Sequence, residues 1–129
     1  MNQPGLTRRE FLASSASLIL AATIHAAEVP LGVLEKCPDV IDLCREIARI
    51  GLQASLSDAG VGAQAARAAA AGAYQNVSIN LAGLNDAPRR AMLIQRADVA
   101  WERAKKLHAE AEDAILLKLR ESVENAAKR

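Results

Sequence analysis

The sequence predicts an all-α protein, an antiparallel helical bundle of about three to four helices, on three observations. About half of the 129 residues are hydrophobic, yet Phe11, Tyr74 and Trp101 are the only aromatics, so the core must be aliphatic and rich in alanine. That composition suits closely packed helices better than a sheet, which draws on β-branched and aromatic side chains. Apolar residues recur at steps of three and four over long stretches, the spacing that lines one face of a helix. Gly51 and the turn Ala82 to Asp86 fall between those stretches, where chain reversals belong. The length fits one domain. The formal net charge is +1 with no basic run, which argues against nucleic acid as a partner, because phosphate binding relies on clustered Lys and Arg.

Residues 1–26 read differently from the remainder. "TRREFL" (Thr7 to Leu12) followed by an apolar, Ser- and Ala-containing run to Ala22 resembles a twin-arginine export signal, with cleavage near Ala26 or Ala27. The run is short for a membrane span, which needs about 20 apolar residues, so membrane contact is expected only in transit. The expected location is then periplasmic or exported. It is cytoplasmic if the segment is instead the domain's own first helix.

Residues 27–129 form the expected helical domain. Leu34, Cys37, Ile41, Cys44, Ile47 and Ala48 follow helical spacing, and Gly51 is a natural stop. Pro38 predicts a kink, or a short helix followed by a longer one. Cys37 and Cys44 lie two turns apart, about 10 Å on one continuous helix and beyond disulfide reach. They read as buried thiols acting as small hydrophobes. Ser55 or Ser57 caps a second helix that runs to about Leu81, with Asp58 beside the positive end of its dipole. Asn85 or Asp86 caps a third, roughly Pro88 to Asn125, with Pro88 in its first turn. Its apolar stripe is Ile94, Ala97, Trp101, Ala104, His108, Ala111 and Ile115, widened by Leu93, Ala100 and Leu107. A lone histidine on such a stripe is more often a core or edge residue than a catalyst, and no Cys, His, Asp and Glu have metal-ligand spacing, so no metal is expected.

The second helix carries the unusual feature. Asp58, Gly62, Ala65, Ala69, Gly72, Asn76 and Asn80 share roughly one face, made of tiny side chains with polar groups at its ends. Such a face is a close-packing seam or the floor of a ligand groove. As a seam over Ala59 to Ala73 it would join copies of the chain, and Ala69→Leu would overpack it by roughly 1–3 kcal/mol.

Three stretches in order, Val29-Pro30-Leu31, Ser57-Asp58-Ala59-Gly60-Val61 and Asn76-Val77-Ser78-Ile79-Asn80-Leu81, resemble the second half of the formimidoyltetrahydrofolate cyclodeaminase and methenyltetrahydrofolate cyclohydrolase family. The resemblance covers about Ala26 to the middle of the last helix. It implies a helical, usually dimeric domain of one-carbon metabolism with a tetrahydrofolate derivative as substrate and no covalently bound cofactor. The chemistry implied is loss of ammonia with ring closure (a lyase) or hydrolysis of the methenyl form (a hydrolase). Either moves a proton at a folate nitrogen and needs a groove for a flat ring. On this resemblance Asp58, Asn76 and Asn80 are the candidate binding residues, and Asp58 is the one candidate for catalysis. The residues themselves read first as structural, Asp58 as a helix cap and the two asparagines as inter-helix hydrogen bonds. Family members carry a glycine-rich Gly-Gly-Gly-Ser element and an acidic helix in their first half, which this sequence lacks. The expectation is therefore a catalytically incomplete domain whose partner is a second copy or a missing N-terminal half, or else an exported, non-catalytic module that keeps the packing seam.

Overall fold

The computed structural model describes residues 7–128, and among them it contains three long helices, one short turn of 3₁₀ helix and no strand. Helix α1 spans Arg8–Ile50, the 3₁₀ turn Gln53–Ser55, α2 Leu56–Ala82 and α3 Ala87–Ala127. All three helices pack on one another, α1 against both others, as the bundle prediction requires.

Helix α1 begins with a reciprocal cap. Thr7 Oγ1 accepts from the Glu10 amide at 3.3 Å, and the Glu10 carboxylate accepts from the Thr7 amide at 2.8 Å. Two donors that a helix start leaves without partners are thus satisfied. The Thr7 hydroxyl also donates to the Glu10 carboxylate at 2.7 Å, and that bond, with the one from the Thr7 amide, holds the Glu10 carboxyl below its usual range. Two residues of the export-like motif therefore have a local role in starting the helix.

The expected break at Pro38 does not occur. Helix α1 is continuous over 43 residues, through Pro30 and Pro38 and across the boundary at residue 26. A proline inside a helix has no N–H for the carbonyl four residues earlier. For Pro30 that carbonyl belongs to Ala26, and it accepts instead from Asn80 Nδ2 of α2 at 3.0 Å. Both prolines are buried, so their rings fill core space that favours the uninterrupted helix. The helix ends at Gly51, whose amide donates to Ile47 O at 2.7 Å. Its φ of −74° is not left-handed; glycine is needed because a Cβ would lie 2.3 Å from that same carbonyl oxygen.

Helix α2 starts after Ser55, whose side chain makes no capping bond, and Asp58 sits in its first turn. Its core face is Ala59, Ala63, Ala66, Ala70, Ala73, Val77 and Leu81. Five alanines in succession let the neighbouring backbones approach closely. Gly62 shows the limit: a Cβ there would stand 3.0 Å from Cys44 Sγ of α1. Asp86 caps α3 by accepting from the Arg89 amide at 3.0 Å, with Pro88 in the first turn. Leu93, Ala97, Ala100, Ala104, Ala111 and Ile115 are the buried stripe of α3, with Ile94, Trp101 and Leu107 packed at its edges.

Ion pairs set α3 along α1. Arg96 binds Glu35 through two hydrogen bonds of 2.9 Å, Arg45 meets Glu110 at 2.7 Å, and Arg103 meets Asp39 at 2.9 Å. The parallel, two-pronged Arg96–Glu35 contact fixes register better than a single pair does. These groups are largely solvated, so each is worth less than about 1 kcal/mol.

Candidate functional site

The small-residue face of α2 is not the core face. Gly62, Ala65, Ala69, Gly72 and Asn76 lie one helical step, about 100°, from the buried alanines and form one wall of a surface groove. The other wall is α1, through Val29, Gly32, Val33, Lys36, Cys37 and Val40. The groove encloses about 730 Å³ beside Gly62 to Ala69, and a smaller extension of about 330 Å³ continues past Gly72 to Asn76. Its walls are overwhelmingly apolar although they face solvent; Val29 is 56% and Val33 49% exposed. Two mid-helix glycines, Gly32 and Gly72, have nothing within 4 Å of where a Cβ would stand. Each costs its helix about 1 kcal/mol relative to alanine and makes no close contact within the chain in return.

Because Ala69 is exposed in this groove, Ala69→Leu does not overpack the chain itself, and the expected cost at that position is one of association between copies. Overpacking belongs to its neighbour Ala70, which is fully buried.

The three candidate site residues are not brought together. Asp58 and Asn76 are 18 positions apart on one continuous helix, about 27 Å by helical rise, so one small ligand cannot touch both in a single chain. Asp58 is exposed in the first turn of α2, outside the groove. Asn76 and Asn80 do meet. Asn80 Nδ2 donates to Asn76 Oδ1 and Asn76 O, both at 2.9 Å, as well as to Ala26 O. Asn80 thus links α2 to α1 and serves the carbonyl that Pro30 strands. Net, such a bond is worth about 0.5–1.5 kcal/mol.

The groove contains two ionisable groups, Lys36 and Cys37. Cys37 Sγ donates to Val33 O at 3.3 Å, and burial pushes the thiol up from its ordinary value, as it does for Cys44. Both thiols are free, and among the described residues no carboxylate lines the groove. Among the described residues no group of three or more His, Cys, Asp or Glu gathers to hold a metal ion.

On the far side of α2, Tyr74 stacks on Trp101 of α3, ring centres 5.6 Å apart, while the Arg67 guanidinium lies 4.3 Å from the indole centroid. Tyr74 Oη donates to Asp98 at 2.8 Å, and this bond, with some burial and the charges of Asp98 and Glu102, pushes the phenol up. The cluster ties α2 to α3, and its i to i+7 partners Arg67 and Tyr74 are the trace it leaves in the sequence.

The model of the Formiminotransferase-cyclodeaminase family matches residues 4–99. The chain belongs to that family. The match takes in the resemblance to the cyclodeaminase and cyclohydrolase motifs and also most of the segment read as export-like. A "Methenyltetrahydrofolate cyclohydrolase" of Methylorubrum extorquens is 39% identical over 74 residues, 57% of this chain and 36% of the relative. The match thus spans about a third of that relative's length. The groove and the Asn76–Asn80 pair of this family member lie within the matched residues 4–99.

Proposed function

We propose that this chain acts in tetrahydrofolate one-carbon metabolism as the scaffold of a cyclodeaminase- or cyclohydrolase-type site, and that a second copy covers the α1–α2 groove to complete it. The groove supports this reading more than any other feature. It is an open apolar groove between valines of α1 and the alanines and glycines of α2, with Asn76 at one end and Lys36 along one wall. A flat ring or another helix can approach such walls closely. Proton movement at a folate nitrogen asks for a positioned acid or base. Among the described residues no Asp or Glu lines the groove, so in this reading a carboxylate acid or base comes from the covering surface. Asp58 stands about 27 Å from Asn76, too far to serve the asparagine end of its own groove, and is the carboxylate we assign to the neighbour's.

The substrate class follows from family membership and from the cyclohydrolase relative. The chain alone is expected to leave 5,10-methenyltetrahydrofolate unchanged at concentrations where it is monomeric, as followed by its near-ultraviolet band. Steady conversion by the monomer, abolished by Asp58→Ala, would refute the shared-site reading and make Asp58 catalytic within one chain.

A second reading concerns location. The first four turns of α1 are exposed, including Phe11, Leu12, Leu18 and Ile19, and α1 is long and apolar enough to cross a membrane by length and composition. That exposure favours export of a folded chain through the Arg8–Arg9 motif. Replacing both arginines with lysine is expected to block translocation of a reporter fused after Glu28; undiminished translocation would remove the assignment.

A further inference from the structure

Helix α1 outruns the bundle. From Arg8 to Ala22 every residue but the half-buried Ser15 is exposed, and the first buried residue is Ile24. Ala16, Ile19, Leu20 and Thr23 face Gly83 to Asp86 of the α2–α3 turn across a cavity, and the turns before them stand clear. This projection is apolar on every side. At about 100° per residue, Phe11, Leu12, Leu20 and Ala21 point in directions about 0°, 100°, 180° and 280° around the axis, and all four are exposed. Leu18, on the same side as Phe11, is 71% exposed. No Asp, Glu, Lys or Arg occurs from Phe11 to Ala27.

A helix that is apolar all round belongs in apolar surroundings. A second copy seated against it would cover one face, whereas a lipid bilayer covers them all. The length agrees, since Phe11 to Ala27 rises about 26 Å and the hydrocarbon core is about 30 Å thick. Arg8 and Arg9 precede the run and Glu28 follows it. Charges belong at those two depths, and the long arginine side chains reach toward headgroups from the helix end. Two hydroxyls within the run are already satisfied by the helix itself. Ser15 Oγ donates to Phe11 O and Thr23 Oγ1 to Ile19 O, both at 2.9 Å, which lessens the cost of taking them into lipid. The other end of the run is rooted in the fold. Ala27 has no exposed surface, Ile24 is buried, and Ala26 O accepts from Asn80. A cut near residue 26 would divide a packed helix and take Ile24 out of the core.

We propose that Phe11 to Ala27 is a retained membrane anchor, whose free turns sit in the lipid bilayer while the bundle stands at its surface. Membrane contact then outlasts any export step. The inference does not rest on the groove or on the one-carbon reading, and it holds whether or not the arginine pair directs export. The full chain, reconstituted from detergent into vesicles of phosphatidylethanolamine and phosphatidylglycerol, is expected to float with them in a sucrose gradient and to stay bound in high salt. Leu12→Asp with Leu18→Asp, both at exposed positions, should lower the floated fraction at least tenfold with helix content unchanged. Leu43→Asp with Leu117→Asp adds the same charge at exposed positions of the bundle and should float as the wild type does. Arg8→Lys with Arg9→Lys keeps the charge and should float equally, which separates anchoring from translocation. Intact mass of the chain recovered from cell membranes should show an N-terminus before Arg8. A wild-type chain left at the bottom of the gradient, equal flotation of the Leu12→Asp, Leu18→Asp chain, an equal loss in the Leu43→Asp, Leu117→Asp control, or an N-terminus near Ala27 would each overturn the proposal.

Discussion

Leu34→Ala is expected to lower the free energy of unfolding by about 2–5 kcal/mol, the range for removing a fully buried leucine from a core that cannot close over the gap. Leu34 has no exposed surface, and it stands on α1 between the two buried prolines. This core is unusually dependent on a few large side chains. Leu31, Leu34, Ile41, Leu56, Leu84 and Leu93 are its bulky, fully buried leucines and isoleucine, and most of the rest is alanine. Where backbones already touch through alanine, neighbours have little room to move inward, so the cavity persists. Urea denaturation at low protein concentration measures the loss. Leu117→Ala, at an exposed position of α3, is the control and should change stability by no more than about 0.5 kcal/mol. A cost at Leu34 no larger than that of the control would mean that α1 does not pack as described.

The second large effect is expected at Gly62. A valine there places its Cβ 3.0 Å from Cys44 Sγ and adds two methyl groups against α1. Overpacking of this kind typically costs about 1–3 kcal/mol, set against a few tenths gained from helix propensity. Alanine at Gly62 brings only the Cβ and gains about 1 kcal/mol in propensity, so it should fall near neutral. Gly72, with nothing within 4 Å, should accept alanine with a gain in monomer stability. The order Gly62→Val least stable and Gly72→Ala most stable, read from urea midpoints, distinguishes a glycine that holds two helices close from one that faces open groove. The reverse order would mean that the α1–α2 approach is wrong.

Much of the architecture was legible because its signals are local. Gly51, Asp86 and Pro88 mark helix ends by chemistry that acts within one turn, and the stripe from Leu93 to Ile115 declares its period over six turns. The continuity of α1 was not legible. Pro38 carries a kink signal, whereas the bond that serves Pro30's stranded carbonyl comes from Asn80, 54 residues on from Ala26. The location of the small-residue face was legible only in part. Two adjacent faces of α2 both consist of alanine and glycine at the same period, and only contact with α1 and α3 decides which is buried. A shared helical face also says nothing of distance, and so Asp58 and Asn76 were grouped although one helix separates them by about 27 Å. The Gln64–Glu112 contact left no clear sign, since these side chains become neighbours only when α2 meets α3.

Sedimentation velocity over a concentration series, on the wild-type chain and on Gly72→Trp, tests the central claim most directly. If a second copy covers the α1–α2 groove, the wild-type chain should pass from monomer to dimer as concentration rises. Gly72→Trp fills open space, leaves the monomer's contacts intact, and should weaken association at least tenfold with helix content unchanged. A wild-type chain that stays monomeric throughout, or a Gly72→Trp chain that dimerises as well as the wild type, would contradict it.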